Sequence, residues 1–281
     1  MSTLAFDLEV NEREQALRYL KAENVLSQLG NAFRTIFAQH GENNVFYRKE
    51  DGTITSQFEQ NIEILIGKLL QKLTPWAHFT GEEGTEYRAD RSSSLFRWLV
   101  DPIDGSISFS RGLDTFSFVA TLLEDQIAIA SVVLFPSLGR EYHAYKDQGL
   151  FLNDTRVFMR HPPDVQDIII AVSDDETFEL VKRNSLIQKV RSLNCRVRTY
   201  TDLYGHSMVA HGGCSLKIDA ACARWDRMPA ELLVQEAGGK TLFLPIADST
   251  EALEGSLIVY HPSLENLVFN IAETIGEIGI S

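Results

Sequence analysis

Along the first part of the chain, apolar positions return every three or four residues between charged ones. Leu17, Leu20, Leu29, Phe33 and Phe37 recur near helical spacing, which predicts helix across the first forty residues. Lys49-Glu50-Asp51-Gly52 reads as a polar turn. Ile62, Leu65, Ile66, Leu69, Leu70 and Leu73 then outline a second amphipathic helix. It should stop ahead of Pro75, because the residue before a proline is pushed out of the helical region.

Past Pro75 the pattern changes to short apolar runs. Strands are predicted over 96–100, 116–123, 127–135 and 140–145, with Glu124-Asp125-Gln126 turning the second into the third as a hairpin. From there strand and helix alternate. Strands fall at 168–172, 196–200, 216–218 and 257–260, and helices at 176–193, 203–210 and 225–237, the last closed by Gly238-Gly239, with one more helix at the end. Helices followed by strands, then β/α alternation, predict an α/β chain of layered α+β type in two subdomains. The boundary falls near residues 155 to 165, giving 1–158 and 159–281. No repeat, low-complexity tract or Pro/Ser linker interrupts either part.

Composition narrows the function classes. With 281 residues, 44% of them apolar and 23% charged, the chain can bury a sizeable core and is not a disordered tail. Lys and Arg number 26 against 39 Asp and Glu, a formal net charge of −13, which argues against a nucleic-acid partner. An anionic substrate would then need a local cation. Cys195, Cys214 and Cys222 are odd in number and lack a C-x-x-C spacing, so they read as small buried side chains in a reducing cytoplasm. The acidic first residues carry no basic flank and no apolar core of a signal peptide. The longest apolar stretch, 116–135, is interrupted by charge and is no membrane span.

Three acidic clusters carry the candidate chemistry. They are Gly81-Glu82-Glu83-Gly84, Asp101-Pro102-Ile103-Asp104-Gly105-Ser106, and Trp225-Asp226 with Glu236-Ala237-Gly238-Gly239 behind it. Carboxylates gathered without histidine form a hard-oxygen set suited to Mg²⁺ or Mn²⁺ rather than zinc. In the middle cluster, an Asp ending a buried strand and a second Asp after Pro turn towards one point. Gly105 permits close backbone approach, and Ser106 can open a helix whose N–H groups face an anion. Each cluster also has a plain structural reading: an Asp N-cap with a Pro-stabilised turn, a solvated acidic turn, and a helix cap. Their conjunction favours metal-assisted phosphate chemistry.

Asp101-Pro102-Ile103-Asp104-Gly105-Ser106 with Phe109 resembles the D-P-(I/L)-D-G-(T/S) signature of the inositol monophosphatase-like, lithium-sensitive, Mg²⁺-dependent phosphatases. Gly81-Glu82-Glu83 and Trp225-Asp226 with Glu236-Ala237-Gly238-Gly239 match that family's other motifs in order and spacing, and Lys49 sits where it has a basic residue in an early loop. The resemblance implies a five-layered αβαβα sandwich, often a homodimer, with two or three Mg²⁺ ions between the subdomains. By position, Glu82, Asp101 and the Ile103 carbonyl would hold one ion; Asp101, Asp104 and Asp226 would hold the second. Glu82 would also help with a third and orient the attacking water. The Gly105 and Ser106 N–H groups would cradle the phosphate. In-line attack by a metal-activated water needs no phosphoenzyme, and the metal charge answers the anion problem set by the net charge.

The partner is then a small phosphorylated metabolite. Asp202-Leu203-Tyr204-Gly205-His206-Ser207 ahead of Val209-Ala210 resembles the histidinol-phosphate phosphatase branch, and so do 106–109 and 136–141. Asp219, seven residues before Asp226, would be the substrate-side acid facing a hydroxyl or ammonium group, although a strand-end surface carboxylate fits it equally. His206 and His211, at helical spacing, read as surface or capping positions rather than metal ligands. His206 and Ser207 stay substrate-side candidates. Histidinol phosphate, an inositol phosphate, a sugar phosphate and a nucleoside 3′-phosphate remain open. One departure matters. The family's early V-T-x-x-D segment reads Ile54-Thr55-Ser56-Gln57-Phe58-Glu59, with Phe58 where the water-activating Asp should stand. Either Glu59 takes that role by a one-residue shift of register, or the chain is a catalytically weakened homologue that binds a phosphometabolite or a partner.

Overall fold

In the computed structural model, which describes residues 11–40, 45–49, 54–160, 168–174, 184–193, 195–250 and 253–276, the N-terminal helical stretch is two helices. α1 (Glu12–Ala22) and α2 (Val25–His40) part at Asn24, whose φ of 51° is a left-handed turn that asparagine tolerates. Residues 1–10 lie outside the described residues, as do 50–52 of the expected polar turn. The short strands β1 (Phe46–Arg48) and β2 (Ile54–Ser56), which the apolar pattern did not predict, pair antiparallel. α3 (Gln57–Leu73) starts where the Ser56 hydroxyl accepts the Glu59 N–H at 3.2 Å, and ends before Pro75 as expected.

β3 (His78–Gly81), β4 (Glu86–Tyr87) and β5 (Phe96–Asp104) lead through the short helix α4 (Ser106–Ser110) to β6 (Ser117–Glu124) and β7 (Ile127–Phe135). β8 (Arg140–Tyr145), β9 (Gly149–Leu152) and β10 (Thr155–Val157) complete an eight-stranded sheet ordered β10-β9-β8-β7-β6-β5-β3-β4. Only β3 and β5 run parallel. The β6–β7 hairpin forms as predicted, with Asp125 at a φ of 55° in the turn. β5 is longer than predicted. It continues past Val100 to Asp104, and its register against β6 shifts between Asp101 and Asp104. Pro102 has no N–H to give the ladder, so this stretch bulges instead of ending the strand.

The second sheet takes β11 (Ile169–Val172), α5 (Asn184–Ser192), β12 (Arg196–Thr199), α6 (Asp202–Ala210), β13 (Leu216–Cys222) and α7 (Arg224–Glu236). β14 (Lys240–Thr250), β15 (Leu253–Tyr260) and α8 (Glu265–Gly276) follow, and the strand order is β12-β11-β13-β15-β14. Of the helix predicted over 176–193, residues 176–183 lie outside the described residues. β13 runs four residues beyond the predicted 216–218, since Asp219 is buried in the strand rather than exposed at its end.

Alternating side chains sort into three cores. Phe118, Ala120 and Leu122 of β6 face α1, α2 and α3. Val119 and Leu123 face the opposite way, into a core shared with α6, α7 and the inner face of the second sheet at Ala171, Leu257 and Val259. Ile170, Ile218 and Ile258 point outward to α5 and α8. The layers are therefore α, β, α, β, α, with α6 and α7 sandwiched between the sheets.

Candidate active site

The bulge in β5 and the first turn of α7 bring three carboxylates together. Ligand oxygens of Asp101, Asp104 and Asp226 lie within 4.8 Å of one another. Asp101 Oδ1 accepts the Ile103 N–H at 2.9 Å, while Asp104 accepts the Ser117 hydroxyl at 2.7 Å and the Leu203 N–H at 3.1 Å. Asp226 Oδ2 accepts the Ala223 N–H at 3.3 Å, so this residue caps its helix and joins the cluster as well. Burial first, and then the neighbouring acids, push Asp101 and Asp104 well above the usual carboxylate range and Asp226 up to about 8. The Glu82 carboxyl, beside Asp101, is also raised, by burial, against the pull of Lys49. Lys49 Nζ lies 2.6 Å from Glu83 Oε1 and 3.7 Å from Glu82 Oε1.

Beside this cluster, Gly105 sits at a φ of 82° and opens α4, whose first N–H groups have no acceptor within the helix. The Ser106 hydroxyl lies 3.2 Å from the Ile103 carbonyl oxygen and 3.4 Å from Glu59 Oε2. Glu59 is only 1% exposed, and its own burial lifts its carboxyl to about 7. Phe58 points the other way, into an aromatic cluster with Phe37 and Phe109. The one-residue register shift thus sends the phenylalanine to the core and the glutamate to Ser106. Sequence reasoning passed over Glu63, a fully buried acid that accepts the Glu83 and Thr85 N–H groups at 2.6 and 2.7 Å and so shapes the turn carrying Glu82.

On the far side, a cavity of about 100 Å³ is lined by Thr201, Asp202, His206, Asp219, Cys222 and Asp226, with Ser173 and Asp174 at its wall. Asp219 is 5% exposed and not a surface carboxylate. It pairs with Lys217 Nζ at 2.9 Å and His206 Nε2 at 2.7 Å. Against its burial, Lys217 and then His206 hold it down at about 2. The surface reading fails for His206, which is 1% exposed, because it faces this ion pair. His211 is half-buried, bonded to the Tyr142 hydroxyl at 3.0 Å. Ser207 is not brought to the cavity. It lies one residue round α6 from His206, and its hydroxyl donates to the Tyr204 carbonyl at 2.8 Å.

Glu236 of the third motif is also remote from the cluster, accepting the N–H groups of Asp147, Gln148 and Gly149 at 2.8 to 3.0 Å. It ties α7 to the first sheet. Asp202 and Lys217 were missed as site residues. A lysine between Leu216 and Ile218 in an apolar strand, two residues from an aspartate on the same face, was the available signal.

The model of the inositol monophosphatase family matches residues 15–265. The chain is similar to the histidinol-phosphatase of Chlorobaculum parvum, at 28% identity over 193 residues, 69% of this chain and 73% of that one. It is equally similar to the inositol-1-monophosphatase of Rhizobium meliloti, at 28% over 190 residues, 66% and 70% of the two chains. The solved IMPase of Thermotoga maritima superimposes with a TM-score of 0.75 over 92% of this chain and 99% of its own, at 20% identity, a likeness of fold alone.

Proposed function

We propose that this chain, which belongs to the inositol monophosphatase family, is a Mg²⁺-dependent phosphomonoesterase acting on a small phosphorylated metabolite. The observation that carries the reading is the buried convergence of Asp101, Asp104 and Asp226, three carboxylates raised by burial and mutual repulsion. An all-oxygen donor set of this charge fits Mg²⁺, with Mn²⁺ as a substitute. Asp101, Asp104 and Asp226 would hold one ion, and Glu82, Asp101 and the Ile103 carbonyl another. When bound, the metal supplies Lewis acidity towards the phosphoryl oxygens and lowers the pKa of a coordinated water.

The chain's own groups do the rest. The N–H groups of Gly105 and Ser106 orient the phosphate at the open end of α4. The Ser106 hydroxyl, 3.4 Å from Glu59 Oε2, relays a proton from the attacking water to Glu59. A carboxyl raised to about 7 is half ionised near neutrality, where a general base works best. The cavity beside Asp226 takes the rest of the ester. Asp219 is neutralised there by Lys217, with His206 beside it, whereas Asp202 Oδ2 stands close over Gly105, 2.8 Å from where a Cβ would be. That acidic wall favours an ammonium-bearing ester such as histidinol phosphate over inositol monophosphate, and it shifts the substrate-side role from Asp219 towards Asp202. The weakened-homologue alternative rested on Phe58; the position of Glu59, 3.4 Å from the Ser106 hydroxyl, supports the active reading over it. Turnover of histidinol phosphate, inositol monophosphate and an aryl phosphate, with and without Mg²⁺, tests the reading. Full activity in excess chelator would sink it.

A further inference from the structure

Lys217 lies in the middle of β13 with its side chain wholly buried. Its ammonium has three partners: the Asp202 carbonyl oxygen at 2.8 Å, the Asp219 carboxylate at 2.9 Å, and His206 Nδ1 at 3.4 Å. All three of its hydrogens are used. With Lys217 donating to Nδ1, His206 carries its proton on Nε2, which lies 2.7 Å from Asp219 Oδ2.

Neutralising Asp219 needs only one of these bonds; the bond to Asp202 reaches a different element. Asp202 begins α6 at a φ of 55°, a left-handed conformation that a residue with a side chain adopts rarely. The next residue, Leu203, aims its N–H at Asp104. A continuous path therefore runs from Lys217 through the strained turn to a carboxylate of the acidic cluster. Gly205 keeps the path clear: a Cβ there would meet Lys217 Cδ and Cε at 2.7 Å and the Tyr200 carbonyl oxygen at 2.4 Å.

We propose that Lys217 is a positioning residue for the acidic centre, its bond to the Asp202 carbonyl holding the left-handed turn that points the Leu203 N–H at Asp104. The inference rests on the metal-site reading above. Groups that orient a ligand carboxylate are worth about ten- to a hundredfold in metal affinity.

The test is a double-mutant cycle read by Mn²⁺ binding in electron paramagnetic resonance, not by turnover. Lys217→Met should weaken Mn²⁺ binding by about tenfold or more. In the Asp202→Gly background, where the left-handed turn needs no support, the same substitution should cost less than about twofold. If the charge left on Asp219 blocks folding, the cycle is run in Asp219→Asn. Unchanged affinity in folded Lys217→Met overturns the proposal. So does an equal loss in both backgrounds, or failure to fold in either, since each assigns Lys217 to the core alone. A wild-type chain that binds no Mn²⁺ sinks the metal-site reading and this inference with it, whereas wild-type binding with no effect of Lys217→Met sinks only the inference.

Discussion

Two neighbouring groups of buried charges, one around Asp219 and one around Asp101, Asp104 and Asp226, solve burial differently. Around Asp219 the chain supplies the countercharge itself, Lys217 at 2.9 Å, with the His206 ring at 2.7 Å, and the carboxyl is held down at about 2. Around Asp101, Asp104 and Asp226 the neighbours are mainly other acids, and burial drives all three carboxyls up. One cluster holds its countercharge within the fold; the other is the one proposed to take a cation. Removing one partner of a satisfied buried pair strands the other charge, whereas a cluster of like charges stores repulsion that a ligand can release.

Substitutions should therefore act with opposite signs in the two clusters. The largest effect is expected for Asp101→Asn, which should lower turnover by more than about a thousandfold, since the metal contributes several kcal/mol to the barrier. In chelator the same substitution should raise the melting temperature, because it removes a buried like charge. A lower melting temperature would break the comparison. Asp219→Ala should do the reverse, destabilising the fold by about 3–5 kcal/mol in denaturant titration by stranding Lys217. A neutral result would mean that Lys217 finds another partner.

Glu59→Gln comes next, with an expected drop of at least about tenfold in kcat and an unchanged Mg²⁺ requirement, since general bases contribute about 10²- to 10⁴-fold. Phe58→Asp should lose stability, because it removes a core aromatic and buries a charge. If Phe58→Asp instead raises kcat while Glu59→Gln is silent, the glutamate is not the base.

The mildest test is pH. Carboxyls raised in the fold bind protons that the unfolded chain has already released. Metal-free stability should thus fall as pH climbs from about 4 through the Glu59 value near 7 to the Asp226 value near 8, and Mg²⁺ should flatten that limb. Asp219 acts on the other side: its contribution is present above about 4 and is lost as pH falls towards about 2. Melting curves with chelator and with Mg²⁺ separate the two limbs.

Much of the molecule was legible in the sequence. Helical spacing and apolar runs predicted α3, the β6–β7 hairpin and the β/α alternation of the second half, because burying one face of each element dictates its period. The motif residues Asp101, Asp104 and Asp226 were likewise visible, 125 positions apart from first to last. Strands of few residues such as β1 and β2 carry too little period to be seen, and Asn24 gave no apolar signal for the break between α1 and α2.

What the sequence by itself determined is the inventory: which acids are available, in what order, and which stretches must be buried. Only the tertiary structure decided what each acid meets. Glu59 faces Ser106 because the first turn of α3 seats Phe58 in the aromatic core. Asp219 is silenced because β13 threads Lys217 beneath α6, whereas burial and the neighbouring acids, Asp226 of α7 among them, drive Asp101 up. A carboxylate's charge state and role depend on its neighbours within a few ångströms, and those neighbours come from elements far apart in the chain.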